Sequence, residues 1–157
     1  MLSVARLSVA DAADLLAAGL AGSVAALRGV DEALHGALIE QAAGTAHYFV
    51  VRDDGALVAR VDLTDVARAG PDAGAGLVAT LGYQVAEGAT GRGIGTAAVG
   101  IVLDLAAREL GVSLVVAVTA RGNVASQKVL SRNGFVKVGD LVEPDGARAM
   151  RYEKVLR

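Results

Sequence analysis

The 157-residue sequence contains no cysteine and no tryptophan. Without cysteine there is no disulfide framework, no thiolate metal site and no thiol nucleophile. Histidine is limited to His35 and His47, far apart in the chain, so a zinc centre lacks its usual ligands. Each of them reads as structural or exposed rather than catalytic. Aromatic residues are only 3% of the chain, too few for the stacking platforms that bind single-stranded nucleic acid or sugars. Net charge is -2 and no basic cluster occurs, which argues against a phosphate backbone as partner. The expected partner is a small molecule or another protein, with neither nucleic acid nor membrane involved.

Long apolar runs are also few. Leu15–Leu27 is uncharged, about as long as a signal-peptide core but short of the ~20 residues a membrane span requires. Asp11 and Asp14 stand where such a signal wants positive charge, and Ser8 followed by Asp11 reads as a helix N-cap with an acid in the first turn. A buried amphipathic helix and a cytoplasmic protein are expected.

What the chain has in plenty is aliphatic residues and glycine. Hydrophobic residues reach 54% against 20% charged, a balance that favours folding over disorder. The length suits one domain, taken as 1–157. A strand near Leu2–Leu7 leads into a helix at Val9–Ala18, and a second helix covers Asp31–Ala43. Strands follow at Ala46–Arg52, Ala56–Val66 and Leu77–Ala86, the first two joined by the turn signal Asp53-Asp54-Gly55. Ala67–Gly76 reads as a mobile surface loop. An apolar helix at Thr96–Leu110, mostly buried, precedes a β-branched strand at Leu114–Thr119. A helix at Asn123–Asn133 and strands at Phe135–Leu141 and Ala147–Leu156 complete the order β-α-α-β-β-β-α-β-α-β-β. This predicts the α/β class: one central mixed sheet with helices on both faces.

Glycine crowds between the fourth strand and its helix, in Thr90-Gly91-Arg92-Gly93-Ile94-Gly95-Thr96. Glycine lets the backbone turn tightly and approach a ligand, and the free amides of a helix N-terminus attract phosphate. The lysine of a Walker A loop is missing. A dinucleotide fingerprint over Gly93, Gly95 and Ala98 lacks the acid that should end the next strand. A plain strand-to-helix turn with no ligand is the remaining alternative. A second segment decides between them: Asn123 and Ser126, three apart at the start of a helix, followed by Gly134-Phe135. Capping explains Asn123. It explains Ser126 poorly, because serine inside a helix is mildly unfavourable.

Together the two segments resemble the GNAT superfamily of N-acetyltransferases, whose cofactor loop runs Gln/Arg-x-x-Gly-x-Gly/Ala. They are most similar to the branch that acetylates N-terminal amines of ribosomal proteins and related small-molecule amines. The match covers Leu77–Phe135. It implies transfer of an acetyl group from acetyl-CoA to a primary amine, on a peptide N-terminus or a small molecule, by direct attack. Gly91, Arg92, Gly93, Gly95 and Thr96 match the loop that holds the CoA pyrophosphate; Thr90 departs from the usual Gln or Arg. Val85 falls where family backbone groups meet pantetheine and the acetyl carbonyl, and Asn123 matches the asparagine on the pantetheine arm. The tyrosine acid of many members is Leu130 here. The branch resembled uses the serine equivalent to Ser126 to protonate or hydrogen-bond the leaving thiolate. The position of a familiar glutamate base is Ala79. Glu87 reads first as a solvated loop carboxylate and second as a base, and Tyr83 first as a wall of the substrate cleft. Dimers are common in the family, so a homodimer is a candidate state. A degenerate member that binds acyl-CoA without turnover is the alternative reading.

Overall fold

The computed structural model describes residues 1–22, 30–68 and 76–156. The described elements are β1 (Leu2–Arg6), a 3-10 turn (Val9–Asp11), α1 (Ala12–Ala17), α2 (Val30–Ala43), β2 (His47–Asp53), β3 (Ala56–Arg68), β4 (Leu77–Val85), a 3-10 turn (Glu87–Ala89), α3 (Ile94–Glu109), β5 (Val112–Ala120), α4 (Val124–Arg132), β6 (Val136–Val142) and β7 (Arg148–Val155). The strands form one sheet in the order β1-β2-β3-β4-β5-β7-β6. The β4–β5 pair is parallel; the other neighbours run antiparallel.

Alternation along the strands feeds two cores, as a pleated backbone requires. On β2, Phe49 and Val51 join the cluster built around Val99, Val102 and Leu103 of α3, while Val50 joins Leu7, Leu15, Leu20 and Leu34 on the side of α1 and α2. The sheet therefore carries helices on both faces, as expected. On α3 the exposed residues Ala97, Ile101, Asp104 and Arg108 make one narrow stripe, joined at the last position by Glu109, so most of the helix is covered. The Asp54-Gly55 turn has φ of 47 and 89 degrees, the positive values that suit these residues.

Several boundaries differ from the sequence reading, and three of the differences have a clear cause. The first helix opens as a 3-10 turn, where the Ser8 amide donates to Asp11 Oδ2 at 2.8 Å and closes the cap. Asp11 and Asp14 also bind Arg52 of β2, each at 2.9 Å, so these acids anchor α1 to the sheet. β3 runs to Arg68 rather than Val66: a bulge at Asp65, with φ of 51 degrees, lets pairing resume at Ala67↔Val78. α3 starts at Ile94, two residues early, because Gly93 takes up the turn with φ of 73 degrees. The loop expected over Ala67–Gly76 lies outside the described residues at 69–75, as does part of Leu15–Leu27 at 23–27. Among the described residues no helix is long and apolar enough to cross a membrane.

His47 sits at the start of β2, 8% exposed, and its Nδ1 has no hydrogen-bond partner. Burial, followed by the nearby charge of Arg6, lowers its pKa below 6.5. The folded state then binds fewer protons than the unfolded one, so stability is full above the unfolded pKa and falls as pH drops below it toward the folded value. Chemical denaturation of the wild type between about pH 7.5 and about pH 5.5 should show that loss. His47→Leu should flatten it, and an unchanged slope would show that another group is responsible.

Candidate active site

The sheet parts in its middle. β4 and β5 pair from Leu77↔Val112 only as far as Thr80↔Val116. β4 nevertheless runs on to Val85 against β3, and β5 to Ala120 against β7. Beyond Thr80 and Val116 the facing edges diverge, leaving main-chain groups of both strands without a ladder partner there. A crevice of about 240 Å³ fills the gap, lined by Leu81, Tyr83, Ala117, Thr119 and Ser126 among others.

Two larger spaces meet at this gap. One, of about 430 Å³, lies between the glycine turn and α4; Val85, Gly91, Gly93, Gly95 and Thr96 line one side, Asn123 and Ser126 the other. Gly91 and Gly93 have φ of 79 and 73 degrees, and a Cβ added at either meets no atom within 4 Å. The space beside them is open, and the left-handed backbone is what requires glycine. At Gly95 a Cβ would touch Val85, Tyr83 and Val129 at 3.4–3.5 Å, so glycine there keeps the floor of the cavity low. An open trough beside a helix N-terminus is able to take an anion such as a diphosphate. Lys128 and Arg132, one turn apart on α4, also line it; the sequence reading passed over them, although their spacing from Asn123 on one helix was the available signal.

The other space, of about 650 Å³, opens on the α1–α2 side. Its described lining includes three carboxylates, Glu32, Glu40 and Asp62, with His35 and one guanidinium, Arg60. Arg60 grips Asp62 through Nη2 at 2.9 Å and Nε at 3.2 Å, and donates to the carbonyl of Leu20 at 2.9 Å. Burial pushes the Asp62 carboxyl up and Arg60 pulls it back. Tyr48 donates to Glu40 at 2.8 Å, and burial, then that bond, raises the phenol above its ordinary value. Arg60, Asp62 and Tyr48 were not picked out from the sequence; Arg60 and Asp62, two apart on a strand, share a face by simple alternation.

The residues singled out from the sequence divide clearly. Asn123 caps α4 by accepting from the Ser126 amide at 3.1 Å. The Ser126 hydroxyl is not used inside the helix; it accepts a hydrogen bond from Tyr83 Oη at 3.1 Å. Val85, Tyr83, Asn123, Ser126 and the glycines thus converge. Arg92 does not line these cavities; it is exposed and reaches Asp53 at 3.7 Å. Glu87 is exposed, on the 3-10 turn after β4, and lines none of the three cavities. Ala79 has no exposure at all, buried within the α3 core. Among the described residues no group of acids and histidines could hold a metal ion.

A parallel pair that parts in mid-sheet beside a helix-opening glycine turn defines an acyltransferase type of α/β fold. Residues 5–136 match the sequence profile of the acetyltransferase (GNAT) domain, and the chain belongs to this family. It is an acetyl-CoA-dependent N-acetyltransferase. No curated protein matches the chain. Among solved structures it is similar to the ribosomal-protein-S5-alanine acetyltransferase of Vibrio fischeri, at 21% identity and TM-score 0.82, covering 98% of this chain and 92% of that one. It is also similar to Mycobacterium smegmatis RimJ in complex with CoA-disulfide, at 24% identity and TM-score 0.84, covering 98% and 81%. A chimera of the spermidine N-acetyltransferase SpeG from Vibrio cholerae and hSSAT aligns at 19% identity and TM-score 0.81, covering 98% and 95%.

Proposed function

We propose that the chain moves the acetyl group of acetyl-CoA to a primary amine that enters through the 650 Å³ cavity and attacks the thioester directly. The observation that carries this reading is the meeting of two separate cavities at the parted strands, with Tyr83 and Gln84 common to both. One cavity offers main-chain donors at Gly91–Thr96 for the pyrophosphate, in a helix-terminus field equivalent to about half a positive charge. Asn123 lies alongside for the pantetheine arm. The other cavity, rich in carboxylates among its described residues, favours a basic acceptor over an acidic one. Free backbone groups near Val85 are positioned for the carbonyl oxygen, where a single donor is worth about 3–4 kcal/mol to the transition state. Ser126 supplies the hydroxyl for the departing sulfur. The proposed chemistry makes no use of the Glu87 carboxylate.

The test is calorimetric titration with CoA and with NAD, followed by a thiol-release assay. The assay would offer acetyl-CoA with spermidine, with an alanine-initiated peptide and with free amino acids. CoA should bind, NAD should not, and at least one amine should release thiol. Binding of NAD instead would replace the reading with a nucleotide-binding one; binding of CoA with no thiol release from any amine would make the chain a binding domain.

A further inference from the structure

Aminolysis of a thioester moves one proton overall. The N–C bond forms, the C–S bond breaks, nitrogen gives up a proton and sulfur ends as a thiol. Enzymes commonly divide this between a base and an acid. Here the first candidates for a carboxylate base are absent, remote or engaged, and Glu32 and His35 line the acceptor cavity without lining the crevice between the strands. Ala79 occupies one familiar position and is fully buried. Glu87 lies outside the cavities. Asp62 is held by Arg60, and Glu40 accepts from Tyr48.

Tyr83 differs from all of these in its placement. Among the described residues it alone lines the acceptor cavity, the cofactor cavity and the crevice between the strands. Its phenol donates to Ser126 Oγ at 3.1 Å, so that the serine's own proton is free to point elsewhere. A hydroxyl both donates and accepts. Two in contact can therefore pass a proton along without either holding a lasting charge.

We propose that Tyr83 and Ser126 form a two-hydroxyl relay that carries the amine's proton to the departing sulfur, which makes Tyr83 a catalytic residue and not only a cleft wall. As the C–S bond breaks, Ser126 Oγ gives its proton to sulfur. Tyr83 Oη replaces that proton, and takes its own replacement from the nitrogen on the acceptor side. Each hydroxyl ends as it began, so no further base or co-reactant is needed. The proposal rests on the reading of Ser126 as proton donor to the thiolate.

The test combines Tyr83→Phe, Ser126→Ala and the double variant with acetyl-CoA and whichever of spermidine or an alanine-initiated peptide releases thiol. Tyr83→Phe should lower single-turnover rate about 10²-fold, the range of general acid–base effects. Its CoA affinity by calorimetry should stay within about twofold of wild type, since phenylalanine keeps the ring against Gly95 and the hydroxyl removed is bonded to Ser126 and not to the turn. The double variant should be no slower than the slower single variant, because a chain broken once is already broken. In mixtures of light and heavy water the wild-type rate should give a bowed proton inventory, from three protons in flight, a measurement that needs no variant. A linear inventory, losses that multiply in the double variant, or a Tyr83→Phe rate within about twofold of wild type would each overturn the relay while leaving the acetyltransferase reading intact. Bound CoA with no thiol release from spermidine, the peptide or free amino acids would sink both.

Discussion

Gly93→Glu is expected to weaken CoA binding by about 30-fold or more while leaving the protein folded. Two separate costs fall on this position. Its φ of 73 degrees lies in the left-handed region, where a side-chain residue costs about 1–2 kcal/mol. A Cβ there meets no protein atom within 4 Å, so no clash is added and the sheet should not feel the change. The second cost is electrostatic, because a carboxylate would stand at the helix terminus intended for a diphosphate. Like charges about 4 Å apart near a protein surface repel by about 4 kcal/mol. Even half of that weakens binding by about 30-fold, whereas the backbone strain is present with and without CoA and falls on folding stability. Gly93→Ala separates the two costs, since it carries the strain alone: it should lower thermal stability as Gly93→Glu does and keep CoA affinity within about threefold of wild type. Calorimetry with CoA, with thermal unfolding as the check on folding, reads both variants. Wild-type affinity in Gly93→Glu would remove the pyrophosphate from this turn.

The fold was legible in the sequence wherever a local rule coincided with the global one. Asp54-Gly55 announced its hairpin because only such residues accept positive φ cheaply. The apolar run Phe49-Val50-Val51 lay inside a strand reading, while its cover on both sides is seen only in the fold. The glycine turn could be read as an anion site, since the absent side chains are themselves the signal. The bulge at Asp65 could not be read, because a non-glycine residue at positive φ gives no compositional warning. The site was legible as separate parts only. Tyr83 and Ser126 are 43 residues apart, and nothing in either neighbourhood says that they touch. Their contact depends on where β4 and β5 stop pairing, which is a property of sheet register. Arg60 and Asp62 were visible as a same-face pair, but a pair on a strand is usually a solvated one. Only the cavity beside them gives it a use.

Ser126→Ala is the second large effect expected, and its size can be argued from the leaving group. A thiol of ordinary pKa, near 8.5, departs as thiolate without needing full protonation. The acid is therefore worth less than it would be for an alkoxide or amine. The expected loss in turnover is about 10²-fold, the lower end of the general-acid range. The backbone should hold, because the cap of α4 depends on the Ser126 amide and Asn123 Oδ1, and alanine keeps that amide. CoA affinity should stay within about twofold, since the hydroxyl is bonded to Tyr83 rather than to the glycine turn. Ser126→Thr retains a hydroxyl at the same atom and should recover part of the rate. A rise in KM for acetyl-CoA with kcat unchanged would recast Ser126 as a binding group. Wild-type turnover in Ser126→Ala would remove it from the chemistry, leaving the hydroxyls of Tyr83 and Thr119 as groups in the crevice able to meet the sulfur.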